Sequence, residues 1–198
     1  MGRKKKEVKL EAVKIENLQI NIEGTTPLII HKFSDKAKKQ MVDKQTGKTS
    51  QKKHRDIKAE VEACKYYMSK GRIGFPCGGF KKAMVEVGPY LDGLDKKKVK
   101  GSMYVIGEEN NLVPIAFEEE AVNEAIVRLS GPGRTAMVRY RPEFRKWTAN
   151  LNIQYNANMI TPEQIVNLVN MAGFHIGVGD WRPQRDGING MFRVCLDG

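Results

Sequence analysis

Residues 147–194 read WTANLNIQYNANMITPEQIVNLVNMAGFHIGVGDWRPQRDGINGMFRV, and their periodicity decides the fold class. Trp147, Ala149, Leu151, Ile153 and Tyr155 alternate with Thr148, Asn150, Asn152 and Gln154, and none of the nine is charged. Period-two alternation of this kind describes a half-buried antiparallel strand, here with an amide-bearing outer face. Thr161 then stands where a helix N-cap belongs. Pro162 follows at the first helical position, and Gln164 completes a capping box. Ile165, Leu168, Val169 and Ala172 recur at helical spacing, so the pattern predicts a helix that ends at Gly173. Met191 to Leu196 alternates again and predicts a closing strand.

Between that helix and that strand lie four glycines, Gly177, Gly179, Gly187 and Gly190, interleaved with Trp181, Arg182 and Arg185. Glycine lets a backbone approach a ligand or another backbone because no Cβ intervenes. Arginine beside it offers a fixed fork of N–H donors suited to phosphate. The plainer alternative is a long loop whose glycines serve only its turns.

Upstream, Val13 and Ile15 alternate, and Leu18, Ile20 and Ile22 alternate in the opposite phase, which predicts a strand with a bulge at Asn17. Gly24 to Pro27 turns the chain, and Leu28 to Ile30 continues as a short buried strand. Residues 33–57 are lysine-rich with almost no large apolar side chains, too long for an ordinary connection, and read as a flexible insertion. Val61, Cys64 and Met68 predict a helix over 58–68, and Gly78-Gly79 opens another with Lys81 and Lys82 in its first turn. Lysines there oppose the helix dipole, which points to a ligand rather than to local stability. Leu112–Phe117 predicts a strand. Glu118–Leu129, with three glutamates at its start, predicts a short helix, and 130–134 a turn. Thr135–Arg141 predicts a strand joined to the 147–155 strand through a hairpin at 141–145.

With insertions removed the order is β-α-β-β-α-β. The expected class is therefore α+β, a ferredoxin-like or RRM-like core with a basic insertion. The 198 residues suit one such domain, with residues 1–10 as a basic arm. No run of eighteen apolar residues is present. The N-terminus has lysines but no apolar stretch behind them, so it does not read as a secretory signal. The three cysteines, Cys64, Cys77 and Cys195, are far apart, which argues for a reducing, cytoplasmic setting and against a disulfide framework or a zinc site. No cofactor is expected.

The net charge of +11 is unevenly placed. Residues 1–100 carry a net of +13 and residues 101–198 a net of −2. Such a field suits a phosphate backbone, with solubility as the ordinary alternative. The basic residues of the second half are nearly all arginines, clustered at 134–145 and 182–193.

Three separated segments, GTTPLII (24–30), IGFPCGGFKKAM (73–84) and AGFHIGVGDWRPQRDGINGMFRV (172–194), together resemble the RAMP superfamily of CRISPR systems, above all its guide-RNA-coating backbone subunits. The middle motif reads Pro76-Cys77-Gly78-Gly79-Phe80-Lys81-Lys82-Ala83, against the family's Pro-Gly-Ser-Ser-Leu-Lys-Gly-Ala. The resemblance implies an RRM-like core, assembly into a homo-oligomer or filament, and sequence-independent binding of single-stranded nucleic acid, RNA favoured. A divergent phage-encoded relative is the alternative to a CRISPR subunit. The implied contacts are Phe80, Lys81 and Lys82 at the helix start, the glycine-rich loop, and the 139–146 hairpin as the thumb.

Joined with the basic and exposed-aromatic positions, the expected nucleic-acid-binding set is Lys53, Arg55, Phe80, Lys81, Lys82, Arg134, Arg139, Arg141, Phe144, Arg145, Lys146, Gly177, Gly179, Trp181, Arg182, Arg185, Gly187 and Gly190. Phe144 at a hairpin tip and Trp181 in a polar loop are the aromatics expected to stack bases, whereas the strand phase of Trp147 puts it in the core. No catalytic residue is expected. His31 or Asp35 would serve a metal-independent endoribonuclease, but no second group pairs with either, and His54 and His175 are no better placed, His175 reading as packed core. The other functional alternatives are a phage protein that anneals single-stranded DNA and a mimic of a CRISPR backbone subunit, with CRISPR-type effector proteins as partners.

Overall fold

The computed structural model describes residues 12–33, 42, 46, 55–128 and 136–195. The arm, most of the 33–57 insertion with Asp35, Lys53 and His54, and the 130–134 turn with Arg134 lie outside them. In chain order the elements are β1 (Ile15–Gly24), β2 (Leu28–Ile29), α1 (Ile57–Ala63), β3 (Tyr66–Tyr67), β4 (Ile73–Pro76), α2 (Cys77–Val87), α3 (Lys96–Ser102), β5 (Met103–Ile106), β6 (Leu112–Ala116), β7 (Glu119–Arg128), β8 (Ala136–Arg145), β9 (Thr148–Asn156), α4 (Pro162–His175) and β10 (Phe192–Val194). No helix among the described residues is long and apolar enough to cross a membrane.

The main sheet runs β10-β1-β9-β6-β4-β3, with β5 also on β9, and every pairing is antiparallel. Within it, β1, α2, β5, β9, α4 and β10 form a β-α-β-β-α-β unit whose strands lie in the order β10-β1-β9-β5. The chain is therefore an α+β protein with a ferredoxin-like core. Leu18, Ile20 and Ile22 of β1 and Ala149, Leu151, Ile153 and Tyr155 of β9 turn inward, to the same core as Phe80, Met84 and Val87 of α2 and Ile165, Leu168 and Val169 of α4. Asn17, Gln19 and Asn21 stand opposite Gln154, Asn152 and Asn150 on the outer face, as the alternation predicts.

Helix α4 starts on the expected capping box: Gln164 N–H donates to Thr161 Oγ1, and Thr161 N–H donates to Gln164 Oε1. It runs past Gly173 to His175. At Gly173 a Cβ would fall 1.9 Å from the Phe192 carbonyl oxygen, so this glycine lets β10 close onto the helix rather than ending it. His175 is exposed, with its ring 5.4 Å from that of Tyr90, and is not a core residue.

Four further expectations are corrected. The β1–β9 ladder is unbroken from Ile15 to Glu23, so there is no bulge at Asn17. Val13 and Ile15 simply lie on the exposed side. Helix α1 ends at Ala63, short of Met68. Residues 119–128 form strand β7, not a helix, because all ten residues pair with β8. The three glutamates imitated a helix start, and the residues after them put apolar side chains in both phases, so no period-two signal opposed that reading. Lastly, β8 runs through 141–145 without turning. The hairpin is instead β7–β8, and β8 passes into β9 through Lys146, at φ 48°. The next residue, Trp147, is fully buried, and its indole N–H donates to the Thr26 carbonyl. Strand β5, which takes the second core position, and helix α3 were not foreseen.

Candidate functional site

The base of the β7–β8 hairpin is where distant segments converge. The strand β2 pairs with β8 at Leu28–Phe144 and Ile29–Glu143. The Asp180 amide donates to the Ile29 carbonyl, which ties the glycine-rich loop to β2. Gly179 makes that tie possible. It has φ +79°, and a Cβ there would stand 2.4 Å from the Ile29 oxygen. Trp181 also takes a positive φ, 52°, an uncommon conformation for a bulky side chain. Its carbonyl accepts from Asn189 N–H, and its indole is left 43% exposed.

Two clefts meet at Asp180 and Arg182. The narrower, of about 230 Å³, is lined by His31 beyond β2, Tyr66 of β3, Phe75 of β4, Gly79 and Lys82 of α2, and residues 176–180, Arg182 and Gln184. The wider, of about 440 Å³, is lined by Val127, Arg141, Asp180, Trp181, Arg182 and Arg185. Among the residues lining both, Asp180 is the only acid. Arg139 stands on the same face of the hairpin as Arg141, two residues along β8.

The electrostatics follow from this crowding. The Arg141 guanidinium is 7% exposed and lies against the Asp180 carboxylate. Burial and then the Arg139 charge lower the Arg141 pKa. Burial and then Arg185 lower that of Arg182. His31 Nδ1 is 3.9 Å from Asp180 Oδ2, yet burial, with the charges of Arg141 and Arg139, pushes its pKa down to about 4. His31 is therefore neutral at pH 7. Five cations, Lys82, Arg139, Arg141, Arg182 and Arg185, surround one carboxylate already engaged by Arg141. Such a site attracts polyanions.

Of the sequence-derived set, the structure brings Lys82, Arg139, Arg141, Gly177, Gly179, Trp181, Arg182 and Arg185 together here. Gly187 and Gly190 close the loop on itself, against the carbonyls of Trp181 and Val178. Phe80 and Phe144 are corrected: they are 1% and 0% exposed and pack in the interior, so neither is free to stack a base. Lys81 turns toward the Tyr104 ring, 3.6 Å from its centroid. Arg55 bonds to Glu60 and to the Val138 carbonyl and covers the Tyr140 ring. Arg145 pairs with Glu143 and Glu119, and Lys146 with Glu118. The sequence reading missed Asp180 as the partner of Arg141, and also Tyr66, Phe75 and Gln184. An acid inside an arginine-rich loop was the one available signal. Among the described residues, no cluster of three His, Cys, Asp or Glu is arranged to hold a metal ion.

No family model and no curated protein matches this sequence. Among solved structures, the fold is similar to the crystal structure of Cmr6 from Pyrococcus furiosus, with a TM-score of 0.47 and 8% identity, over 93% of this chain and 100% of that one.

Proposed function

We propose that this protein binds single-stranded nucleic acid, RNA in preference to DNA, without sequence specificity, and coats it as a RAMP-like homo-oligomer. The observation that carries the reading is the convergence of Lys82, Arg139, Arg141, Arg182 and Arg185 around Asp180. Arginine forks hold phosphate oxygens whatever the base sequence. The exposed Trp181 beside Arg182 and Arg185 favours a single strand, whose bases are free to stack, over a duplex. The net charge of +13 on residues 1–100 supplies the long-range attraction. The three motifs that resemble RAMP backbone subunits agree with this use of the loop and of the helix that follows Pro76.

The test is fluorescence anisotropy with labelled single-stranded RNA, single-stranded DNA and duplex DNA across a salt series, with assembly size read on the same samples by light scattering. Steeply salt-dependent single-strand binding, tightest for RNA and with assemblies growing along the strand, is expected. Equal binding to duplex, or none to any probe, would remove this reading.

A further inference from the structure

The two clefts differ in chemistry, and the difference assigns them different parts of a nucleotide. The wide cleft has Arg141, Arg182 and Arg185 around it and suits phosphate. The narrow one has apolar walls, with Tyr66, Phe75 and Ile176 among them. Phosphate gains nothing from such walls. A heterocycle gains apolar contact there. The volume agrees. About 230 Å³ lies below the roughly 300–1,000 Å³ of a drug-sized pocket and leaves room for one planar base, not for a run of strand.

The polar groups at its rim also match a base edge. His31 is neutral, so its ring carries one donor and one acceptor. Arg182 donates to the Gln184 side-chain oxygen, which leaves the Gln184 amide N–H2 to donate. Phosphate is acceptor-only and leaves the His31 acceptor unused, whereas a base edge presents donors and acceptors side by side. Lys82 and Arg182 stand at the same rim, where the phosphates flanking an unstacked base would lie. We infer that the narrow cleft is a nucleobase subsite. It takes one base of a bound single strand, held against the apolar lining and hydrogen-bonded at its edge by His31 and Gln184. The inference rests on the proposed single-strand binding but makes a separate demand: the bases, not only the phosphates, must contribute.

The experiment compares a 12-nucleotide adenosine RNA with an abasic ribose-phosphate 12-mer of the same charge, using wild type, His31→Trp, Gln184→Ala and Trp181→Ala. Thermal unfolding establishes that each variant is folded. Wild type is expected to bind the adenosine strand at least tenfold more tightly, since a stacked base contributes about that factor. His31→Trp fills the cleft and should lower the ratio severalfold. Gln184→Ala, at the exposed rim, should lower it severalfold. Trp181→Ala should lower it as well, through the base that stacks at the wide cleft, and His31→Trp should lower it further in that background. Equal binding of the two strands by wild type, or a ratio that survives His31→Trp and Gln184→Ala, overturns the subsite and leaves the phosphate reading standing. No binding of either strand overturns both.

Discussion

Replacing Lys82 and Arg185 together by alanine isolates the phosphate term. Lys82 lines the narrow cleft and Arg185 the wide one, and both are exposed. Neither makes a side-chain hydrogen bond or ion pair among the described residues, so their loss should leave the fold intact. Arg182 is a poorer choice: its guanidinium holds the Gly179 carbonyl at 2.9 Å and the Gln184 side chain, so Arg182→Ala would also disturb the loop. Each phosphate contact on a single strand contributes about 0.7 to the slope of log affinity against log salt, so two lost contacts flatten it by about 1.4. Between about 50 and about 200 mM salt, the double variant should then lose about sevenfold less affinity than wild type. At the low-salt end it should bind more weakly to every sequence alike. Anisotropy titrations at four salt concentrations measure both quantities. Wild-type affinity with an unchanged slope would show that the strand does not pass between these residues.

Two further perturbations probe the same site. The folded-state pKa of His31 is near 4, against about 6.5 when free. Between those values the unfolded chain binds the proton that the folded chain refuses. The contribution is thus fully present above pH 6.5 and is lost as the pH falls toward 4. Its size is about 2 kcal/mol between pH 7 and 4.5, after allowance for partial exposure of the ring. Urea unfolding of wild type and His31→Gln should show the variant losing less stability over that interval, and identical losses would refute the assignment. Asp180→Asn leaves the buried Arg141 facing no carboxylate and should cost about 2–3 kcal/mol. Because it also removes the only acid lining the clefts, the same variant should bind single strands more tightly. A protein unchanged in both thermal unfolding and affinity would show that Asp180 is not the partner of Arg141.

The sequence by itself determined the elements whose period is local. The 148–156 strand, the capping box at Thr161 and the stripe from Ile165 to Ala172 were legible because a strand repeats every two residues and an amphipathic helix about every three and a half. The burial of Trp147 and the exposure of Trp181 followed from strand phase and from polar neighbours. Tertiary structure decided the rest. Residues 119–128 became a strand because β8 offered ten residues of pairing, a non-local gain that outweighs the helical bias of three glutamates. Phe144 went inward because neighbouring elements closed over it, which a Pro-Glu turn signal does not foretell, whereas the helical spacing of Phe80 with Met84 and Val87 already marked Phe80 as a core position. The site is the same kind of outcome. His31, Lys82, Arg141 and Asp180 are far apart along the chain and share no motif. They meet only because β2 pairs with β8, and because Gly179, free of a Cβ, lets the loop seat against Ile29.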